Sequence, residues 1–457
     1  MAEGTKLFGM PAEKGRWLLI VLGFIINICL GSVYAYSIFG KQLALEWKFD
    51  LTLSGDIFKQ QIPFGVFLLF FAAIFPLSGQ LLEKLGPKKQ GLIGGVIVAL
   101  GWVLASFVAK GTTSVPLFVL TYGVIGGIGV GICYIAPIQT ATRWFPDKKG
   151  LATGLTVAGF GGSPFISTYL GQKLIDMNAT VTNGKIVAGT GHVSDALLYL
   201  GIAFFVILLV CFWFMRFPEA GWKPAGWTPK AAPSAATSAV NYNRNEIIKT
   251  PAFWVLFACF AIGSLAGLMA IGIWSNVNAL PMIKWSVATT ALTTGVIIQF
   301  ILAPFNALGR PLLGFVTDKK GPKVAAIITF VLILLAAIGM ITMRSATAPS
   351  GAHQAIYFIC FVAFYLGLGG WLAIAPTATA QYFGVKFSSR NYGIVFLAYG
   401  VGGLVATFVA AYSKMIFKGG GGLIDAFIPV AILAGLGLIM AVFFLKPPKA
   451  KKEQAPK

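Results

Sequence analysis

Twelve long apolar stretches, separated by short charged segments, set the strongest constraint on how this chain folds. As a helix, each stretch is long enough to cross a hydrocarbon layer of about 30 Å. Hydrophobic residues make up 57% of the 457-residue chain and charged residues only 11%, which excludes an ordinary soluble domain. We therefore predict an all-α membrane protein with twelve transmembrane helices, whose approximate ranges are 17–40, 57–82, 91–109, 115–141, 150–172, 194–215, 251–277, 287–315, 324–343, 354–382, 391–413 and 424–445.

A repeated loop motif divides the predicted helices into two sets of six. Each copy has a small residue that permits close helix approach, an acid four residues later and then a Gly-Pro pair. The copies are Gly79, Glu83, Gly86 and Pro87 after the second helix, and Gly314, Asp318, Gly321 and Pro322 after the eighth. A motif repeated at one offset indicates a duplicated six-helix unit, and hence two six-helix bundles.

The Pro-, Ala- and Ser-rich segment between the two sets predicts the domain boundaries. We expect an N-terminal bundle over residues 1–216 and a C-terminal bundle over residues 250–446. Residues 217–249 should form a cytoplasmic linker that is largely without stable structure. Residues 447–457 should form a basic cytoplasmic tail.

The distribution of basic residues predicts the orientation in the membrane. Most of the 35 Lys and Arg residues fall in alternate connections and near both termini, and against 14 Asp and Glu residues they give a net charge of +21. The positive-inside rule then places both termini in the cytoplasm of a protein that crosses the cell membrane many times. Because the charge is spread over loops and forms no single patch, we expect no nucleic-acid partner.

Arg310 lies well inside the eighth predicted helix, where a charge is expensive. A cation near the bilayer centre costs roughly 2.5–3.5 kcal/mol on an insertion scale. Such a residue normally faces a water-filled cavity and an anionic partner, so we predict that it binds a small organic anion. Asn306, four residues earlier, shares its helix face, and Pro311 favours a bend beside it. Alternatively, Arg310 pairs with helix carbonyls or extends its side chain to the membrane surface.

Three tyrosines in predicted membrane segments are further candidates for the same site. Tyr34, Tyr134 and Tyr399 have polar hydroxyls that need partners, which favours a cavity face over lipid. Packing between helices is the alternative for Tyr34 and Tyr134, since glycines adjoin both.

Other kinds of site have little support in the sequence. All five cysteines lie in apolar spans, without the spacing of disulfides or metal ligands. A glycine-rich run at 126–134 offers Gly-x-Gly spacing, but no predicted strand precedes it, which argues against a dinucleotide site. We therefore predict no metal, no cofactor and no enzymatic activity.

Several of these segments resemble a known family. The Glu83 and Asp318 loops are similar to signature loops of the major facilitator superfamily. The turn from Arg143 to Gly150, the stretch from Asn306 to Pro311 and the segment from Arg390 to Gly393 resemble the oxalate/formate antiporter family, which is related to the monocarboxylate transporters.

This resemblance implies a central anion site worked by alternating access. Arg310 would bind a substrate carboxylate in a bidentate manner, and Tyr34 and Tyr134 match aromatic positions that line the family site. Other residues would belong to the gating and structural motifs rather than to the substrate site. These are Gly79, Glu83, Arg143, Asp147, Asp318 and Arg390.

Departures from the family pattern suggest the substrate. Tyr399 stands where the oxalate exchanger has a second cation, and Leu368 and Leu372 replace two aromatics, with Trp371 nearby. One buried cation matches one carboxylate, so we predict a monomeric transporter of lactate-, pyruvate-, acetate- or formate-like anions, coupled to a proton or a counter-anion. The alternative is an oxalate/formate-type exchanger.

Overall fold

The computed structural model describes seven ranges of the chain. These are residues 6–182, 185–186, 190–219, 221–224, 241–283, 294–417 and 422–448. Within them, ten helical segments are long and apolar enough to cross a membrane, by length and composition alone.

Two further observations bring the described membrane-length helices to twelve, as predicted. The longest segment, Ser54–Gly111, breaks at Gly86 and therefore contains two helices. The segment Lys149–Ile175 has 27 residues and packs against helices of both halves. In chain order we number the helices α1 (Ala12–Glu46), α2 (54–85), α3 (87–111), α4 (Val115–Trp144), α5 (Lys149–Ile175), α6 (Val193–Trp213), α7 (Pro251–Asn278), α8 (Thr294–Lys320), α9 (Pro322–Ile341), α10 (Gly351–Phe383), α11 (Ser388–Val395 with Leu397–Ile416) and α12 (Gly422–Phe443).

Helices α1–α6 and α7–α12 form two bundles with matching internal contacts. In the first bundle α1 packs on α5, α2 on α4 and α3 on α6; in the second, α7 packs on α11, α8 on α10 and α9 on α12. The bundles meet through α2 against α11 and through α5 against α8. This arrangement confirms the predicted two six-helix bundles. We call the end at which α1 begins the termini end, and the opposite end the far end.

The repeated Gly-Pro turns have the same backbone shape in both bundles. Gly86 has φ +73° and Gly321 has φ +86°, a region that glycine enters without steric cost. Pro87 and Pro322 follow and begin α3 and α9, where a missing amide proton costs nothing. The turns therefore reverse the chain identically, which agrees with a duplicated unit.

The glycines that open the two motifs have a different environment from the one expected. A Cβ at Gly79 would lie 3.8 Å from the Ile135 side chain, and one at Gly314 would lie 3.6 Å from the Cβ of Ala373. Both are ordinary van der Waals distances, so close helix approach does not require glycine at either position in this conformation.

Small elements outside the membrane helices complete the described fold. A two-stranded hairpin pairs β1 (Lys6–Leu7) with β2 (Met10–Pro11), and a second pairs β3 (Val181–Thr182) with β4 (Lys185–Ile186). One helical turn, Arg244–Ile247, begins with a capping box between Asn243 and Glu246.

The described end of the predicted linker is docked on the second bundle. The Tyr242 amide donates to the carbonyl of Phe383 at 2.9 Å, and the Asn391 side chain donates to the carbonyl of Tyr242 at 2.9 Å. Residues 225–240, and residues 449–457 of the predicted tail, lie outside the described residues. The domain boundaries themselves stay a prediction.

Charged and polar contacts tie helix ends together within each bundle. At the termini end of the first bundle, Arg16 forms a two-bond pair with Asp147 at 2.6 and 2.9 Å and also donates to the carbonyl of Trp144. At the far end of the second bundle, Arg344 of the α9–α10 connection pairs with the buried Asp425 of α12 at 2.6 Å.

We predict that Asp147→Asn destabilises the protein. The substitution removes a charge-assisted pair from a largely buried Arg16, which should cost about 2 kcal/mol. The hydrogen bonds from Arg16 hold the pKa of Asp147 below its usual range. Their contribution is therefore fully present above a pH of about 3.9 and is lost as the pH falls through the lowered folded-state pKa.

Thermal unfolding in detergent at neutral pH tests this prediction. The control is Asp56→Asn, which removes the pair with Lys59 at 2.8 Å, where the lysine is half exposed. A surface pair of this kind contributes about 0–1 kcal/mol. Equal melting temperatures for Asp147→Asn and Asp56→Asn would contradict the assignment.

Candidate substrate site

Arg310 is buried where α8 of the second bundle meets α5 of the first. Only 7% of its surface is exposed. One terminal nitrogen donates to the backbone carbonyl of Val157 on α5 at 2.7 Å, and the other reaches Oδ1 of Asn306 at 3.5 Å. Its Nε has no acceptor among the described residues. The guanidinium thus bridges the two bundles and keeps unused donors.

The two structural alternatives for Arg310 have different outcomes. The side chain does not reach the membrane surface, because it is buried. It does pair with a helix carbonyl, as the other alternative supposed, but this bond engages one of five N–H donors. The Asn306 amide oxygen is also neutral, so the buried guanidinium has no ionic partner within the described structure.

The structure brings all three predicted tyrosines close to Arg310. The hydroxyls of Tyr34 on α1 and Tyr399 on α11 lie 2.5 Å apart, which links the two bundles. Both hydroxyls, and that of Tyr134 on α4, are within electrostatic range of the guanidinium. The site therefore combines one cation with several neutral hydroxyls.

Phenylalanine rings from both bundles hold the tyrosines in place. Phe160 of α5 packs edge-on against Tyr34 and Tyr134, each at 5.1 Å between ring centroids. Phe396 of α11 stacks on Tyr399 at 5.1 Å. These rings were not identified from the sequence, because only aromatic residues that carry a polar group were considered as candidates. Their position in helices that carry site residues was the available signal.

The Trp371 side chain packs against aromatic rings of the second bundle. Its indole stacks on Phe260 at 6.1 Å and packs on Phe330 at 5.3 Å, inside the second bundle. Phe260 in turn approaches Tyr399 at 6.4 Å. Trp371 therefore backs the site through one intervening ring, and its direct contact with substrate stays a prediction.

Glycines allow α8 to fit tightly between α5 and α10 at Asn306. A Cβ added at Gly161 of α5 would lie 2.7 Å from Oδ1 of Asn306, and one at Gly369 of α10 would lie 2.1 Å from its backbone oxygen. The Nδ2 of Asn306 is buried without an acceptor among the described residues. Asn306 thus presents a free donor beside Arg310.

The predicted motif residues divide into paired and unpaired groups. Arg143 pairs with Glu83 at 2.5 Å and stacks over the Phe217 ring, whereas Asp147 pairs with Arg16. Asp318 and Arg390 are exposed and form no ion pair with a described residue. The motif residues of the first bundle therefore form ion pairs at the termini end, whereas Asp318 and Arg390 of the second bundle form none with a described residue.

Neutral hydrogen bonds close the contact between the bundles at the far end. The hydroxyls of Ser37 and Ser275 are 2.7 Å apart, and the amide of Ser275 donates to Ser37 at 3.1 Å. Nearby, Asn276 donates to Gln60 at 2.8 Å and Gln61 donates to the carbonyl of Gly272 at 3.2 Å.

Aromatic packing closes the same contact toward the termini end. Phe75 of α2 packs against Phe396 of α11 at 4.5 Å and against Tyr392 at 6.0 Å. Gly393 lies against Pro76, where an added Cβ would be 3.1 Å from the proline Cα. The bundles therefore touch each other on both sides of Arg310.

These features are those of a transporter built from two pseudo-symmetric bundles around a central site. The family model of the Major Facilitator Superfamily matches residues 16–407, so the chain belongs to that superfamily. It is thus a transporter and not an enzyme, as predicted.

Individual relatives confirm the predicted resemblance. The chain is 28% identical to the "Oxalate:formate antiporter" of Oxalobacter formigenes, over 97% of this chain and 93% of that protein. It is 25% identical to "Monocarboxylate transporter 12-B" of Danio rerio, over 93% and 89% of the two chains. It is 26% identical to "Apicoplast pyruvate carrier 1" of Toxoplasma gondii, over 70% and 63%.

Solved structures support the fold at lower identity. A bacterial homolog of the human lysosomal transporter Spinster, in an inward-facing conformation, superposes with a TM-score of 0.66 at 15% identity, over 96% of this chain and 99% of that one. A D-xylose–proton symporter gives 0.66 at 13% identity, over 95% and 98%.

We predict that Gly161→Val impairs transport at least tenfold without preventing folding. The added side chain would collide with Asn306 and keep α5 and α8 from closing over the site. Gly162→Val is the matched control, because a Cβ at Gly162 meets nothing within 4 Å. Initial uptake rates at equal protein density measure the effect. Equal rates for the two variants would contradict a closing contact at Gly161.

Proposed function

We propose that this protein carries small monocarboxylates, of the lactate, pyruvate, acetate or formate type, across the membrane by alternating access. The observation that carries the proposal is Arg310, a buried cation at the contact between two bundles, with free donors and no anionic partner among the described residues. A carboxylate supplies the missing charge and accepts two N–H bonds from the guanidinium fork.

The charge balance of the site favours one carboxylate over two. Tyr34, Tyr134, Tyr399 and Asn306 are neutral, so a monoanion makes the occupied site neutral overall. A dianion would leave one buried negative charge without a partner, which is strongly unfavourable.

The second candidate is an exchanger of oxalate-like dianions for monocarboxylates. The relative named "Oxalate:formate antiporter", which this chain matches along 97% of its length, supports it. Tyr399 at the place of the family's second cation counts against it. Neither candidate requires a cofactor.

The Val157 carbonyl suggests how substrate binding loosens the contact between the bundles. In this structure the carbonyl accepts a hydrogen bond from the Arg310 guanidinium across the contact between the bundles. A carboxylate is a stronger acceptor for a cation than a neutral carbonyl, so it displaces Val157. The substrate then forms part of the bridge between bundles, with Asn306 and Tyr134 as additional donors. Alternating access follows when the bundles rock around this bound anion.

The surroundings of the site restrict how a driving ion is coupled. No described carboxylate lies beside Arg310. Asp425 is buried, but it lies at the far end of the second bundle and is paired with Arg344. The driving ion is therefore either a proton that accompanies the anion or a counter-anion that uses the same site. On the basis of the loop charges, we further infer that the protein lies in the cell membrane with both termini in the cytoplasm. That it is a monomer stays a prediction.

We predict that Arg310→Ala abolishes transport and that Arg310→Lys retains less than a tenth of the wild-type rate. Alanine removes the charge partner of the anion. Lysine keeps a charge but cannot reproduce the planar two-bond fork. Uptake of labelled lactate, pyruvate, acetate and oxalate into proteoliposomes tests both variants.

Each variant is reconstituted at an equal protein amount. Its gel-filtration profile in detergent is the control for folding. Arg216→Lys serves as a matched arginine replacement outside the site, because Arg216 is exposed and donates to the carbonyl of Lys6 at 2.8 Å. Uptake by Arg310→Ala within twofold of wild type would overturn the assignment of Arg310.

We predict that Tyr399→Lys shifts selectivity from monocarboxylates toward dicarboxylates. The new ammonium would stand on α11, opposite Arg310 on α8, so each carboxylate of oxalate gains a cation. Monocarboxylate affinity should fall because the added charge is then buried without a partner. Competition by oxalate and by lactate against one labelled substrate measures both effects.

Tyr399→Phe is the control for loss of the hydrogen bond to Tyr34. It should leave the preference for monocarboxylates intact. Unchanged inhibition constants for both anions in Tyr399→Lys would contradict the argument that a single cation in the site selects monocarboxylates.

A further inference from the structure

A buried amide on α8 is not used by the site described above. Gln299 lies seven residues before Asn306 and eleven before Arg310, so the three side chains share one face of the helix. The rise along a helix places Gln299 about 16 Å from Arg310 toward the far end. This face therefore carries polar side chains from the centre of the membrane toward the far end.

Gln299 has one partner and one unused group. The hydroxyl of Tyr365 on α10 donates to its Oε1 at 2.7 Å. Both side chains are fully buried. The Nε2 of Gln299 has no acceptor among the described residues. Leaving a buried N–H without an acceptor is costly, so such a group is normally explained by a ligand or a functional role.

The pair lies near the seam between the bundles. Tyr365 lies within electrostatic range of Tyr34, which belongs to the first bundle and bonds to Tyr399. The residue after Gln299, Phe300, stacks on Phe165 of α5 across the seam. Gln299 therefore lies toward the far end from Arg310 and close to the contact between the bundles.

We propose that Gln299 and Tyr365 form an access site, a second carboxylate-binding position that an anion occupies before it reaches Arg310 from the far end. This inference rests on the proposed function. The two N–H groups of Nε2 would bind the carboxylate directly. Tyr365 would be a positioning residue, because its bond to Oε1 fixes which edge of the amide faces the anion.

The chemistry of an amide suits a transient site. Neutral N–H donors bind a carboxylate more weakly than a guanidinium does, so the anion passes on to Arg310. A second arginine here would compete with Arg310 and slow the transfer. The access site therefore affects entry from the far end and has little effect on entry from the termini end.

Orientation-resolved proteoliposomes provide the test, with lactate or the best transported monocarboxylate as the probe. We expect Gln299→Leu to raise the KM for substrate added at the far end at least fivefold. The KM from the termini end should change less than twofold. Tyr365→Phe should raise the far-end KM by a smaller factor, and Gln299→Asn should partly restore it. Thr329→Val is the control, because this buried hydroxyl bonds only to a carbonyl of its own helix in the described structure.

The outcomes separate the access site from the transport function itself. A one-sided increase in KM for Gln299→Leu and Tyr365→Phe supports the access site. Unchanged KM values at both ends, or equal increases at both ends in both variants, overturn it. If the wild-type protein moves no monocarboxylate, the proposed function fails before any variant is compared. If Gln299→Leu does not fold, Tyr365→Phe decides the question by the same measurement.

Discussion

A cation buried at the seam between two bundles is the interaction on which the rest of the structure depends. The Arg310 guanidinium is too costly to leave bare in an apolar interior, and the fold gives it a carbonyl of the opposite bundle, an amide oxygen and three neighbouring tyrosines. None of these carries a negative charge. The two bundles can therefore pack around Arg310 without an anion, and the site still favours the binding of one.

The seam itself is neutral, which suits a protein whose halves must separate and rejoin. Each of the four ion pairs among the described residues lies within a single bundle, and three of them tie helix ends together. Across the seam, the far end uses hydroxyls and amides, and the termini end uses aromatic rings. Breaking neutral contacts costs less than stripping partners from buried charges. Each bundle can therefore stay rigid while the contact between them changes.

Sequence reasoning succeeded where a single residue or a local pattern carries the physics. Apolar length predicted the helices, and the Gly86 and Gly321 turns showed the duplication. It failed where the outcome depends on which helices meet. The partner of Asp147 is Arg16, which is distant in sequence. The rings of Phe160 and Phe396 were missed, because their contacts join residues of different helices. Gln299 was passed over because an amide in a long helix has no local signature.

By itself, the sequence determined that the chain crosses the membrane many times, that it is built twice, and that one arginine is buried with no neighbouring acid along the helix. These are consequences of length, repetition and the cost of a charge in hydrocarbon. Only the tertiary structure decided that the guanidinium rests on the carbonyl of Val157, that Tyr34 meets Tyr399, and that Gln299 keeps a free donor on the same helix face. Those contacts join residues from different helices, and their distances depend on how the two bundles pack.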